Sequence, residues 1–245
     1  NEPKIVHFPP RAQAPVQDRA AEAGRRLVAA YSDHIGAVDG KTLVWKDGTR
    51  MPLDDGAGDK RFEDWLARPD IEDMLAQPYP AGADAAPPGE TFDPGRARNA
   101  AFFDKMYGDC SKGEVARNLA TVPWLASRGG KPLRVTRVNG VAEQLAAVAR
   151  ELEALPRSYD RYLVPAAGGY VCRTIAGTGR VSAHGYGIAI DIATGHSHYW
   201  RWAKGGAAGK PLWRNEIPME IVRIFEKHGF IWGGQDDQMP AQPDE

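Results

Sequence analysis

The sequence predicts an α+β fold, a small antiparallel sheet flanked by helices and preceded by a helical and hairpin extension. Three observations carry that expectation. Lys41–Trp45 and Arg50–Leu53 flank Asp47-Gly48, a pair that supplies the positive φ angles of a tight hairpin turn. Leu133–Val138 alternates apolar and polar residues, as a half-buried strand does. Val141, Leu145, Val148, Leu152 and Leu155 recur at helical spacing between Asn139, a candidate N-cap, and Pro156, a stop.

Composition narrows the function classes. The 245 residues carry 31 Lys+Arg against 32 Asp+Glu, so the net charge of −1 excludes a basic nucleic-acid binder as the default. With 27 glycines and 19 prolines the chain is rich in turn formers, which favours a loop-rich mixed fold over a helical bundle. No window approaches the ~20 apolar residues of a membrane span. Cys110 and Cys172 form either one disulfide in an oxidising compartment or two buried thiols. The start, Asn-Glu-Pro, follows either removal of a leader or a cut in the chain.

In chain order, residues 1–13 read as an extended arm, and Asp18–Tyr31 as an amphipathic helix with Ala21, Leu27, Val28 and Tyr31 on its apolar positions. After the hairpin, Phe62–Gln77 reads as one or two short helices broken near Pro69, and Pro78–Pro94 as a loop. A helix is expected over Arg96–Tyr107, ending at Gly108. Strands are expected over 170–175, 187–192 and 230–232, and a helix over Ile217–His228 with Pro218 in its first turn and Gly229 as its stop. Motif content divides the chain into an extension, residues 1–90, and a domain, residues 91–245.

The chemistry concentrates in Ser182-Ala-His184-Gly-Tyr-Gly187-Ile-Ala189-Ile-Asp191. Period-two alternation puts Ile188, Ile190 and Ile192 on one face and Ala189 and Asp191 on the other. An imidazole and a carboxylate on one concave face are two ligands of the kind a catalytic zinc takes, which also needs a third protein ligand and an open position. A lone His–Asp pair is more often only a hydrogen-bonded pair. The full spacing, Ser182-x-His184-x-x-Gly187-x-Ala189-x-Asp191, resembles the signature of the zinc D-alanyl-D-alanine peptidase family, kin to D-Ala-D-Ala dipeptidases, phage endolysin peptidases and the hedgehog fold. The resemblance extends upstream to Tyr170–Arg173 and downstream to Ile217–Gly234.

That resemblance implies a hedgehog-like α+β domain and a Zn2+ cofactor held by His184 and Asp191. It further implies that Ser182 lines the substrate site and that Arg173 stabilises an oxyanion or a substrate carboxylate. The family places a third ligand, a histidine, after the Trp-Gly-Gly turn, with a general-base carboxylate three residues before it. Here Gln235–Glu245 contains no histidine, and Pro240 stands in an Asp-x-Met-x echo of that motif. Loss of the ligand, a missing segment, and a substitute such as His196 or His198 remain alternatives. The implied function is a zinc-dependent peptidase acting on peptidoglycan stem or cross-link peptides next to D-amino acids, periplasmic or secreted, with no nucleic-acid partner. The alternative is a catalytically inactive peptidoglycan-binding or scaffold protein on the same fold.

Overall fold

The computed structural model describes residues 16–82, 91–192, 194–196 and 216–233. The arm expected over 1–13, His198 and the echo at Asp237–Pro240 lie outside them. By internal contacts the chain divides into two compact units, Asn1–Gly58 and Asp59–Glu245. The division at 90 expected from motif content is a different one.

In the first unit, helix α1 (Val16–Ala30) buries Ala20, Ala23 and Leu27. The buried stripe thus runs one step away from the expected Ala21 and Val28, which stay half-buried. Gly24 lets the helix come close to its sheet: a Cβ there would stand 2.6 Å from Val38 Cγ2 and 2.9 Å from Leu53 Cδ1. The sheet has the order β1-β2-β3, from β1 (Ile35–Asp39), β2 (Thr42–Trp45) and β3 (Arg50–Pro52). The expected hairpin is β2–β3, antiparallel with Leu43 opposite Met51, and its turn carries Gly48 at φ +85°. Strand β1 was not anticipated, because Ile35-Gly-Ala-Val-Asp39 has too few apolar residues to alternate.

The second unit begins with α2 (Phe62–Ala67) and a 3₁₀ turn at Asp73–Leu75, so the break near Pro69 is observed. Helix α3 (Ala100–Tyr107) starts four residues later than expected. Asn99, not the arginine-rich stretch before it, caps the helix by accepting a hydrogen bond from the Phe102 amide at 3.0 Å. After a one-turn helix, α4 (Glu114–Arg117), strand β4 (Leu119–Val122) pairs antiparallel with β5 (Leu133–Thr136). Helix α5 (Val141–Glu153) follows, then α6 (Asp160–Leu163) and α7 (Met219–Lys227).

One core joins β5, α5 and α7, while Trp65 and Leu66 of α2 and Val115 of α4 belong to separate small clusters. Leu133 and Val135 of β5, Leu145, Val148 and Leu152 of α5 and Ile221 and Val222 of α7 close around Trp124, which is fully buried and donates its indole N–H to the Leu163 carbonyl at 3.0 Å. Asn139 does not cap α5. It takes a left-handed conformation (φ +55°), which Asn tolerates better than most residues, and Gly140 enters the helix without a side-chain cap. At the far end of α7 the expectation holds, since His228 is the C-cap and Gly229 turns the chain at φ +81°.

Among the described residues the architecture is α+β with two small antiparallel sheets and several helices. The strands expected over 170–175, 187–192 and 230–232 are absent. The first two segments are extended, yet each meets its neighbours through single bridges, Thr174 with Val181 and Gly168 with Asp191. The 3₁₀ turn Ala183–Tyr186 interrupts the pairing before a ladder can propagate. The third, Phe230–Trp232, has no strand partner among the described residues, although Phe230 and Trp232 pack on the core.

Candidate functional site

Two extended segments reach the exposed edge of β5 and bring the signature residues together. Tyr170 donates its amide to the Arg134 carbonyl at 2.8 Å, and Thr136 donates to the Gly187 carbonyl at 2.8 Å. These approaches are close enough to require glycine. A Cβ on Gly169 would lie 2.4 Å from the Arg134 oxygen, and one on Gly187, at φ +70°, would lie 2.9 Å from the Thr136 nitrogen. Gly187 in the signature is therefore a backbone requirement of the loop, independent of any ligand.

From β5 the chain runs through an irregular ribbon, residues 171–184. Val171 donates to the His184 carbonyl at 3.1 Å, Ser182 to the Arg173 carbonyl at 3.0 Å and Ile175 to the Arg180 carbonyl at 2.8 Å. The disulfide Cys110–Cys172 ties this ribbon to the 3₁₀ turn Cys110–Lys112 and settles the two-cysteine question in favour of a pair. The pairing sets Arg173 across the ribbon from Ser182.

Ser182 is 6% exposed, and its Oγ accepts a hydrogen bond from the His184 amide at 3.4 Å, capping the 3₁₀ turn. Its observed contact is thus with the loop that carries His184. Tyr186, on the same turn, is buried and donates to Asp104 Oδ1 of α3 at 3.0 Å. Burial and the adjacent Asp104 charge push the Tyr186 phenol well above its usual range.

The imidazole of His184 is fixed at both nitrogens. Nδ1 lies 2.7 Å from the Gly169 carbonyl, which only accepts, so Nδ1 carries a proton and donates it. Nε2 then faces Asp191 Oδ2 at 3.3 Å. In neutral imidazole that nitrogen holds a lone pair, and a lone pair against a carboxylate calls for a cation between them, a proton or a metal ion. With a proton there, the pair is imidazolium and carboxylate. The bond to Asp191 raises the His184 pKa against the opposing effect of burial, and the same bond holds Asp191 below the usual carboxylate range.

Asp191 is placed by main-chain bonds, its amide donating to Gly168 at 2.9 Å and its carbonyl accepting from Ala167 at 2.8 Å. The expected alternation survives without a formal strand: Ile190 and Ile192 pack on the core while the Asp191 side chain is 51% exposed. His184, at 12%, is the buried partner, so the pair opens toward solvent on the Asp191 side. The exposed Arg173 cation is close enough to act electrostatically on both groups.

The donor set fits zinc. Two ligands of a tetrahedral zinc at bond lengths near 2.1 Å lie about 3.4 Å apart. The observed Nε2 to Oδ2 separation is 3.3 Å. The Gly169 carbonyl behind Nδ1 is the outer-shell partner that orients a ligating histidine. Sequence reasoning missed that carbonyl. The consecutive glycines 168 and 169 before Tyr170 were the available signal, since they permit a main chain to pass this close to an imidazole.

Among the described residues, no third His, Cys, Asp or Glu joins His184 and Asp191. His196 does not serve as a substitute: its Nδ1 contacts Glu216 Oε2 at 3.2 Å and its ring meets Tyr162 edge-on at 5.0 Å. His228 is held by Glu151 and Gln144.

No curated protein and no solved structure matched the chain. A family model did match: residues 176–239, the segment running from the ribbon tip past α7, are similar to the model described as D-alanyl-D-alanine carboxypeptidase.

Proposed function

We propose that the protein is a zinc-dependent peptidase of the bacterial cell wall, exported to the periplasm or secreted, that hydrolyses peptidoglycan stem or cross-link peptides next to D-amino acids on a hedgehog-like domain. The observation that carries this reading is the His184–Asp191 pair, with Nδ1 committed to a carbonyl and Nε2 at ligand spacing from a half-exposed carboxylate. The family match over the same segment supports the substrate class. The disulfide supports an oxidising compartment. Among the described residues, no helix is long and apolar enough to cross a membrane.

His184 Nε2 and Asp191 would hold the zinc. A zinc bound there supplies Lewis-acid polarisation of the scissile carbonyl and a water acidified toward pKa ~7. Arg173, whose cation acts electrostatically on the pair, would give a developing oxyanion or a substrate carboxylate a bidentate contact. Ser182 keeps the His184 loop closed and is the candidate substrate-binding residue at its base.

A second reading, a binding or scaffold protein without turnover, is favoured by one observation: no third ligand stands beside His184 and Asp191 among the described residues. Incubating the zinc-loaded full chain with purified sacculi separates the two. Soluble muropeptides or free D-alanine, detected by mass spectrometry and lost in His184→Ala, are the expected result. Sacculus binding without any released fragment would support the second reading.

A further inference from the structure

A separate cavity of about 110 Å³ lies where the start of α3 meets the tip of the ribbon, lined by Arg98, Ala100, Gly179, Arg180, Val181 and Tyr186. Its wall is shared with the loop that carries His184, because Tyr186 closes one side while His184 lies two residues earlier in the same 3₁₀ turn. Two of its lining residues are cations held by main-chain carbonyls. Arg98 donates to the Gly95 carbonyl at 3.0 Å and Arg180 to the Arg96 carbonyl at 3.4 Å, and among the described residues neither forms an ion pair. Arg96, whose cation acts on both, lies 3.3 Å from the buried Asp93 carboxylate. Among the described residues the Arg96, Arg98 and Arg180 guanidinium groups thus stand near Asp93, while the Asp104 carboxylate behind the cavity wall is bonded to the Tyr186 hydroxyl. Burial, then the neighbouring Arg96 and Arg180 cations, holds Arg98 down at about 10, low for an arginine and still charged at neutral pH.

Two like charges kept together beside a cavity call for an anion. The first turn of α3, beginning at Ala100 in the cavity wall, adds the positive end of a helix. The remaining lining is apolar: the Ala100 methyl, the Val181 isopropyl group and the Tyr186 ring, with Gly179 leaving room. The volume is several times what one water needs, enough for a carboxylate on a short aliphatic stem. A guanidinium fork matches a planar carboxylate, and the apolar walls match the stem.

We propose that this cavity is a carboxylate-binding subsite, with Arg98 and Arg180 holding the head group and Val181, Ala100 and Tyr186 enclosing the stem. The carboxylate comes either from the peptide chain cleaved at the neighbouring centre or from a free small acid, and only the first source rests on the peptidase reading.

The direct test is titration of the isotopically labelled full chain with propionate, followed by nuclear magnetic resonance, with propionamide as the uncharged isostere. Saturable shifts at Gly179, Val181 and Tyr186 with propionate and none with propionamide are expected, with affinity reduced about tenfold or more in Arg98→Gln and in Arg180→Gln. Arg180→Lys, which keeps the charge but loses the fork, should fall in between. No saturable shift below about 100 mM propionate, or an equal response to propionamide, would overturn the subsite even if neither arginine variant folds. A second arm identifies the source. If the carboxylate belongs to the peptide, propionate competes with peptide hydrolysis and Arg180→Gln raises KM with kcat largely kept; a free acid gives the shifts without competition.

Discussion

Each nitrogen of His184 has one assigned partner, and this sets the behaviour of the pair with pH. In the metal-free protein the raised His184 pKa contributes stability that is present below the ordinary imidazole value and lost as pH rises through the raised one. The lowered Asp191 pKa contributes stability that is present above the ordinary carboxylate value and lost as pH falls through the lowered one. Zinc has the opposite preference from the His184 proton, because it takes the same lone pair. The rise in Tm on adding zinc is therefore expected to be larger near pH 8 than near pH 6 and to vanish in His184→Ala, and differential scanning fluorimetry at the two values checks this. Gly187 is the other decisive residue. An alanine there meets both the positive φ and the Thr136 nitrogen at 2.9 Å, so Gly187→Ala should cost about 1–2 kcal/mol or more in denaturant unfolding. That His184 and Asp191 come together was legible in the sequence through the resemblance their spacing carries. Gly169 was not, because a main-chain carbonyl behind an imidazole leaves no side-chain pattern.

Among the elements, those with a strong internal signal were legible. The Asp47-Gly48 turn, the apolar stripe of α5 and the Gly229 stop after α7 are each local rules, and each is observed. The site segments were misread as strands for a physical reason. Ile188-Ala-Ile-Asp-Ile192 has the alternation, yet its partner across Asp191 is the single residue Gly168, and the Ala183–Tyr186 turn ends the pairing on the other side. Alternation reports which face is buried, and it did so correctly for Ile190 and Ile192. It does not report whether a neighbouring strand is there to bond. Helix α5 supplies the support beneath β5, and Leu145 on it is fully buried. Leu145→Ala should destabilise the second unit by about 2–5 kcal/mol, read from urea or guanidinium unfolding, and a loss below about 0.5 kcal/mol would contradict the packing described.

At the scale of the whole molecule, the disulfide Cys110–Cys172 joins points 62 residues apart and anchors the ribbon that carries Arg173. Loop closure of that length is worth about 4 kcal/mol in the chain-entropy description. Reduction, or the double substitution Cys110→Ser with Cys172→Ser, is expected to lower stability on that scale, and an unchanged unfolding midpoint with and without reductant would refute a structural role. Near-neutral net charge says nothing of a local field. The gathering of Arg96, Arg98 and Arg180 around Asp93 was invisible in the overall charge, since it depends on Arg180, at the ribbon tip, folding back onto the start of α3.

Zinc content tests the central claim most directly. The full chain, equilibrated with zinc and freed of excess, is analysed by mass spectrometry of the metal beside His184→Ala and Asp191→Ala, with circular dichroism confirming that each variant is folded. The expected result is about one zinc per parent chain and little in either variant, as a site built on these two ligands requires. A parent chain that retains no zinc, or folded variants that retain as much as the parent, would contradict the account.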